Sequence, residues 1–266
     1  MFHCSEEHIN YLKKRKKEEK IICFFRLFIL FIFLLIWELA SYFSLINPFL
    51  FSSPSRIINT LYSLFKNGDL LYSIWITTYE VLISFILASS LGIVIATLMW
   101  NNKILSRIID PYITVINSLP KVALGPLIII WVGASTNSII FMSLMISLFT
   151  TIMTVYQGFL SVPLNYCILM KSFGASKFQI YKKIILPASF DVITSTLKIN
   201  ISMSLIGVIM GELLVSKSGL GYLIMYGSQV FNLDLVISSI FVLGILSYFM
   251  YIVVDKILTK LKKKNN

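Results

Sequence analysis

Few residues in this chain could do chemistry, and those that could are isolated within long apolar segments. The ionisable side chains in such segments include Glu38, Glu80, Asp191, Lys198 and Glu212. No G-x-S-x-G or H-E-x-x-H sequence occurs, and both histidines lie close to the N-terminus. A nucleophile inside the apolar segments would therefore lack a base to activate it, which disfavours a membrane hydrolase.

Motifs for phosphate and metal binding are also missing from the sequence. G-x-x-x-x-G-K-[ST] does not occur, and Gly219-x-Gly221 follows a predicted helix where a nucleotide fingerprint would follow a strand. Cys4, Cys23 and Cys167 are scattered without a C-x-x-C pair, so neither a disulfide framework nor a metal site is predicted. We expect no catalytic residue, no metal and no cofactor in this chain.

The ionisable residues have ordinary interpretations as well as functional ones. Glu38 and Asp191 lie near segment ends, and Glu80 lies one turn inside the outer end of its segment, so we expect interfacial water to solvate all three. Glu212 could pair helices or take part in gating. Lys198 lies deeper, where it either pairs with a carboxylate or faces a cavity.

Composition defines the class of protein that contains these residues. Of the 266 residues 57% are hydrophobic and only 13% are charged, whereas a soluble domain carries about 25% charged residues. An all-α, polytopic membrane protein is therefore predicted. The net charge of +11 lies at the ends of the apolar segments and not on one patch, so we expect no nucleic-acid partner.

Six segments are long and apolar enough to cross a hydrocarbon core of about 30 Å. The predicted transmembrane helices cover residues 21–43, 72–100, 108–132, 138–160, 188–215 and 235–254. The first has no small-x-small cleavage site and is predicted to remain uncleaved. Basic tails of residues 1–20 and 255–266 flank a first helix and a core of five helices in residues 72–254.

Lysine and arginine counts predict the orientation. With the N-terminus inside, the inner segments hold 18 of the 23 Lys and Arg residues and the outer segments hold three. This distribution satisfies the positive-inside rule. Both termini and the loop of residues 161–187 are therefore expected in the cytoplasm.

Polar and irregular features in two spans suggest a translocation pathway. Prolines interrupt the third span, which is tolerated at membrane depth only beside protein or water, and Asn117 and Pro120 are candidate lining residues. In the fifth span Thr196, Asn200 and Ser204 recur every four residues. That stripe either lines the pathway or forms hydrogen bonds between helices.

The loop of residues 161–187 is the one long polar, cationic interval between spans, and its spacing resembles a known motif. Permease subunits of bacterial ABC importers carry a cytoplasmic loop of the form E-A-A-x-x-x-G-x(9)-I-x-L-P. Gly174, Ile184 and Leu186-Pro187 reproduce its second half. Ile168-Leu-Met170 replaces the Glu-Ala-Ala, so apolar packing is expected where relatives can use a carboxylate.

The resemblance extends along most of the chain and indicates the branch importing sulfonates, taurine, nitrate and some vitamin precursors. The motifs that occur in family order are Trp37-Glu-Leu39, Ser53-Pro-Ser55, Asp110-Pro111, Leu119-Pro-Lys-Val-Ala-Leu-Gly-Pro-Leu-Ile-Ile-Ile-Trp-Val-Gly133, Gly158-Phe-Leu-Ser-Val-Pro163 and Ser218-Gly-Leu-Gly-Tyr222.

The resemblance implies a binding-protein-dependent permease of type I architecture with six helices in the bacterial plasma membrane. It further implies a second copy of the chain, two cytoplasmic ATPases that carry ATP and Mg, and an outer substrate-binding protein. The residues implied to couple this chain to the ATPase are Met170, Lys171, Gly174, Ala175, Ser176, Lys177, Ile184, Leu186 and Pro187. The alternative is a membrane scaffold or sensor that docks a cytosolic partner without transport.

Overall fold

The computed structural model describes residues 6–265, so His3 and Cys4 lie outside the described part of the chain. All regular structure in this part is helical, which confirms the predicted all-α class. The helices are α1 Glu6–Tyr42, α2 Pro48–Phe51, α3 Pro54–Asn67, α4 Asp69–Asn101, α5 Lys103–Ser118, α6 Gly125–Val132, α7 Thr136–Leu160, α8 Leu164–Ser172, α9 Lys177–Ile180, α10 Leu186–Ala188, α11 Phe190–Val215, α12 Leu220–Gln229 and α13 Leu233–Asn265.

Within the described residues five helices are long and apolar enough to cross a membrane: α1 from Lys17 onward, α4, α7, α11 and α13. A sixth crossing is broken, because α5 and the segment Lys121–Val132 meet at an angle of 87°. These six crossings match the predicted spans. The polar flanks are helical too, since α1 begins at Glu6 and α13 continues to Asn265, as expected of segments rich in lysine.

Proline chemistry explains the break in the third span. Leu119 precedes Pro120 and adopts an extended conformation, with ψ of 144°, because the proline ring disfavours helical geometry in the residue before it. A single 3₁₀ turn, Lys121–Leu124, then leads into α6. The irregular backbone that the prolines predict therefore lies between Ser118 and Gly125.

Small residues allow α4, α7 and α11 to pack closely in the centre of the chain. Ala88 and Ala96 are completely buried, and Gly92 between them lies against Thr151 of α7. Small residues at four-residue spacing let the backbones of neighbouring helices approach closely. Gly207 of α11 lies directly against the backbone of Ser143, so a side chain at residue 207 would overlap α7.

Replacing Gly207 with valine is expected to lower the free energy of unfolding by about 1–3 kcal/mol, because the added methyl groups overpack the contact between α7 and α11. Gly244→Val is the matched control, since Gly244 also lies within a spanning helix but has no atom within 4 Å of the position that a β-carbon would take. Thermal unfolding of the detergent-purified variants measures the difference. Equal losses in both variants would contradict the close-packing explanation.

Candidate functional site

The loop of residues 161–187 begins with a helix that ends at a left-handed residue. Gly174 has a φ of +76°, which glycine adopts without steric cost. The turn is closed by two backbone hydrogen bonds: the Gly174 N–H donates to the Lys171 carbonyl at 3.0 Å, and the Ala175 N–H donates to the Met170 carbonyl at 3.0 Å. This left-handed turn at Gly174 ends α8.

A capping box starts the next helix. The Ser176 N–H donates to Gln179 Oε1 at 2.7 Å, and the Gln179 N–H donates to Ser176 Oγ at 3.3 Å. These reciprocal bonds satisfy backbone groups at the start of α9. A π-helical turn, Tyr181–Ile185, follows, and Pro187 accounts for it because proline cannot donate the next helical hydrogen bond.

The second half of the loop is anchored to the inner ends of two spanning helices. The Tyr181 hydroxyl bonds Thr97 Oγ1 of α4 at 2.8 Å, and its ring centre lies 5.5 Å from that of Trp100. The Tyr181 ring centre also lies 5.7 Å from that of Phe159 of α7, and just after the loop Ser189 Oγ donates to the Gly158 carbonyl of α7 at 3.0 Å. Motion of this half of the loop is therefore linked to α4 and α7.

The first half of the loop presents an apolar surface to the cytoplasmic side. Ile168 is 61% exposed, Leu169 54% and Phe173 78%. Met170 is instead half-buried against the cluster around Val155, whereas Ile168 and Leu169 beside it are exposed. The other predicted coupling residues are also either exposed or half-buried. The exposed ones are Lys171, Gly174, Ser176, Lys177 and Pro187. The ones half-buried against the same cluster are Ala175, Ile184 and Leu186.

The break in the third span brings three polar side chains together. Lys121 Nζ donates to Asn117 Oδ1 at 2.8 Å, and Thr150 Oγ1 of α7 donates to the same oxygen at 3.4 Å. Asn117 and Lys121 are half-buried and Pro120 is exposed on the surface of this chain. Asn117 and Pro120 therefore remain candidates for a pathway between this chain and a neighbour.

The polar stripe of the fifth span lies at a dry helix contact. Thr196, Asn200 and Ser204 are at most 3% exposed. Asn200 Nδ2 donates to Ser89 Oγ at 2.7 Å, and the Ser204 carbonyl accepts from Ser143 Oγ at 2.9 Å. Asn200 and Ser204 thus take part in hydrogen bonds between helices, which is the alternative that the sequence left open, while Thr196 Oγ1 donates to the Val192 carbonyl of its own helix.

A buried carboxylate cluster joins α4, α11 and α12 near the outer side. Thr77 Oγ1 donates to Glu212 Oε1 at 2.7 Å, and the Gly221 N–H donates to Glu212 Oε2 at 2.5 Å. Thr77 Oγ1 in turn accepts from the Leu220 N–H at 2.9 Å. Glu212 thus pairs helices and caps the start of α12.

Glu80 lies one turn along α4 from Thr77 and adjoins Glu212. The prediction that interfacial water solvates it is wrong, because Glu80 is 1% exposed and three helical turns into α4. Both of its carboxyl oxygens are buried without a hydrogen-bond donor within the described residues.

One sequence signal could have revealed the cluster: a glutamate within a span followed by Gly219-x-Gly221. Gly219 has a φ of +107°, and a side chain there would overlap the Glu212 carboxylate. Glycine is therefore required at residues 219 and 221 because the backbone there lies close to the Glu212 side chain. A glutamate followed by a glycine-rich turn indicates that the carboxylate caps the helix that begins at the turn.

Three other ionisable residues that the sequence singled out, Lys198, Asp191 and Glu38, form ion pairs or hydrogen bonds. Lys198 Nζ lies 2.5 Å from Asp255 Oδ1 of α13, so Lys198 pairs with a carboxylate. Asp191 pairs with Lys262 at 2.7 Å. Glu38 accepts from the Ser55 hydroxyl at 2.7 Å and joins α1 to α3.

Six helical crossings, one of them broken, together with a helical loop exposed on the cytoplasmic side, define a polytopic integral membrane protein with a candidate docking surface. The chain belongs to the family of binding-protein-dependent transport system inner membrane components, whose model matches residues 88–265. It is accordingly the permease subunit of an ABC importer and a multi-pass protein of the inner membrane.

Relatives and a solved structure agree with this family. The chain is 28% identical over 233 residues to the "Probable ABC transporter permease protein" of Haemophilus influenzae, covering 87% of this chain and 94% of that one. It is 27% identical to the formylaminopyrimidine transport permease protein ThiX of Halalkalibacterium halodurans, covering 84% and 89%. It is 24% identical to the "Putative aliphatic sulfonates transport permease protein SsuC" of Escherichia coli, covering 79% and 80%.

The fold is similar to that of a chain in the inward-facing MetNI methionine ABC transporter. The TM-score is 0.64 at 18% identity, over 73% of this chain and 97% of that chain. The similarity confirms the predicted type I architecture.

Proposed function

We propose that this permease forms the translocation pathway for a small solute of the sulfonate, taurine, nitrate or vitamin-precursor type, driven by a separate ATPase that docks on the loop of residues 161–187. The observation that carries the proposal is the form of this loop. One half exposes apolar side chains to the cytoplasm, and the other half is fixed to the inner ends of α4 and α7.

The exposed half suits a protein partner. Leu169 and Phe173 are large, exposed apolar side chains on the cytoplasmic side, and Lys171 and Lys177 of the same loop are exposed as well. Clustered apolar side chains with a polar rim are typical of docking surfaces. Movement of a docked ATPase, with ATP and Mg in its own sites, would be transmitted through Tyr181 to α4 as a rigid displacement.

The broken span supports a pathway between two copies of the chain. Leu119 and Pro120 have non-helical backbone and are exposed on the surface of the single chain. Irregular backbone at membrane depth must be covered by protein or line a water-filled cavity, because lipid cannot satisfy its polar groups. A homodimer in which the two breaks face a shared aqueous space meets this requirement, and an outer binding protein would deliver the solute to it.

The solute class is supported by two relatives, which are named for formylaminopyrimidine and for aliphatic sulfonates. We test the whole proposal by co-expressing the chain with an ATPase and a binding protein encoded beside it, and by measuring ATP-driven uptake of these solute classes into proteoliposomes. Binding-protein-stimulated ATP hydrolysis with uptake is expected. ATPase docking without uptake of any member of these classes would instead favour a scaffold or sensor.

Replacing Leu169 with aspartate is expected to reduce co-purification of the ATPase at least about tenfold, because a charge would replace a side chain buried in the docked interface. Leu45→Asp is the matched control: Leu45 is 78% exposed and lies on the opposite side of the membrane. The amount of ATPase retained on the affinity-purified permease is the measurement. Full retention by the Leu169 variant would place the docking surface elsewhere.

A further inference from the structure

The broken span contains a cation with no opposite charge beside it. Lys121 Nζ bonds the neutral Asn117 amide oxygen at 2.8 Å. Among the residues that the structure describes, no carboxylate lies within 4 Å of the Lys121 ammonium. The other lysine within a span, Lys198, has a carboxylate of Asp255 at 2.5 Å. Lys121 therefore has a basic side chain that no described carboxylate of this chain neutralises.

The lysine is at bilayer depth. Its partner Asn117 also accepts from Thr150, which lies fourteen residues from the start of α7 and ten from its end. At 1.5 Å per residue these separations are about 21 Å and about 15 Å, which places Thr150 near the middle of the hydrocarbon core. To reach the nearest interface by snorkelling, the Lys121 ammonium would have to move away from Asn117 and from the nearby Thr150.

The lysine also lies at the surface of the single chain and not in its packed centre. Lys121 is half-buried, and the neighbouring Leu119 and Val122 are each 45% exposed. A charged side chain at this depth is costly unless it meets water, a counter-charge or a passing ion. The surface that carries the irregular backbone is thus the one that carries the uncompensated charge.

We propose that Lys121 is an anion-binding residue of the translocation pathway, held in place by Asn117, and that it attracts an oxyanion solute, a sulfonate or nitrate. The inference rests on the proposed function, because it requires the broken span to face the pathway. An ammonium on a flexible stem binds an oxyanion as a point charge, which suits transient binding during passage.

The test uses a cysteine at Val122, beside Lys121, in the full chain assembled with its ATPase in lipid nanodiscs. Cys4, Cys23 and Cys167 are first replaced by alanine. The reaction rates of the new thiol are compared for 2-sulfonatoethyl and 2-(trimethylammonio)ethyl methanethiosulfonate, which are similar in size and opposite in charge. The ratio of the anionic to the cationic rate is expected to fall at least about tenfold when Lys121→Gln is added.

Two comparisons make the result specific. Lys121→Arg should preserve the ratio, and a cysteine at the exposed Leu45 of the outer connection should show no effect of Lys121→Gln. Ethanesulfonate added as a competitor should slow the anionic reagent in the protein with Lys121 and not in the Lys121→Gln protein.

The outcomes separate this inference from the proposed function. If the thiol at residue 122 reacts readily but its rate ratio is unchanged by Lys121→Gln, the anion site is wrong and the pathway stands. If the thiol at residue 122 reacts with neither reagent while that at residue 45 reacts with both, the break is not in an aqueous pathway, and the proposed function fails together with the anion site.

Discussion

Valine at residue 174 is expected to abolish ATP-driven uptake while the protein still inserts into the membrane. The φ of +76° at Gly174 costs a non-glycine residue about 1–2 kcal/mol, and a β-branched side chain is strained most at such a position. The strain would open the turn that ends α8 and would displace the docking surface from its anchored half. Uptake into vesicles, normalised to the amount of inserted permease, measures the loss.

Asparagine is the control at the same residue. It tolerates left-handed geometry better than other non-glycine residues, and no atom lies within 4 Å of the position that a β-carbon would take at Gly174. Gly174→Asn should therefore keep at least half of the uptake. If asparagine is as damaging as valine, a partner must approach the glycine closely, and the backbone explanation would be wrong.

Glutamine at residue 212 is expected to damage the protein far more than glutamine at residue 80. Glu212 accepts hydrogen bonds from Thr77 and from the Gly221 N–H, and an amide would replace one of these two acceptors with a donor. A buried donor that loses its acceptor costs about 1–3 kcal/mol. The start of α12 would lose its cap, and the outer end of α11 would loosen.

Glu80 is the comparison for Glu212, because its two carboxyl oxygens accept no hydrogen bond from the described residues. Two adjoining buried carboxylates repel each other when both are anions. Glu80→Gln removes one of the two groups that can carry this charge and leaves the hydrogen bonds of Glu212 in place. Thermal stability and uptake should therefore be close to those of the parent in this variant. Equal damage from both substitutions would show that Glu80 acts as an anion.

Local features of the chain could be predicted because their causes are local. Hydropathy predicts each of the crossings, and the proline at residue 120 predicts the break in the third span. Gly174 predicts the end of α8, since its left-handed φ depends on the backbone of a few residues. The family resemblance rests on such short, ordered patterns.

The direction of a side chain could not be predicted when it depends on the neighbouring helix. Thr196, Asn200 and Ser204 form a polar face, but periodicity does not distinguish a water-filled space from another helix. The same limit applies to Met170, which faces its own buried cluster although Leu169 beside it is exposed.

The sequence by itself determined the class of protein, its crossings, its orientation and the turn in its cytoplasmic loop, because these follow from hydropathy, charge and backbone preference. Only the tertiary structure decided which polar groups meet. It brought Glu80 and Glu212, 132 residues apart, to one buried site. It paired Lys198 with Asp255 and placed none of the described carboxylates within 4 Å of Lys121. Contacts of this kind depend on how whole helices pack, and no local pattern encodes them.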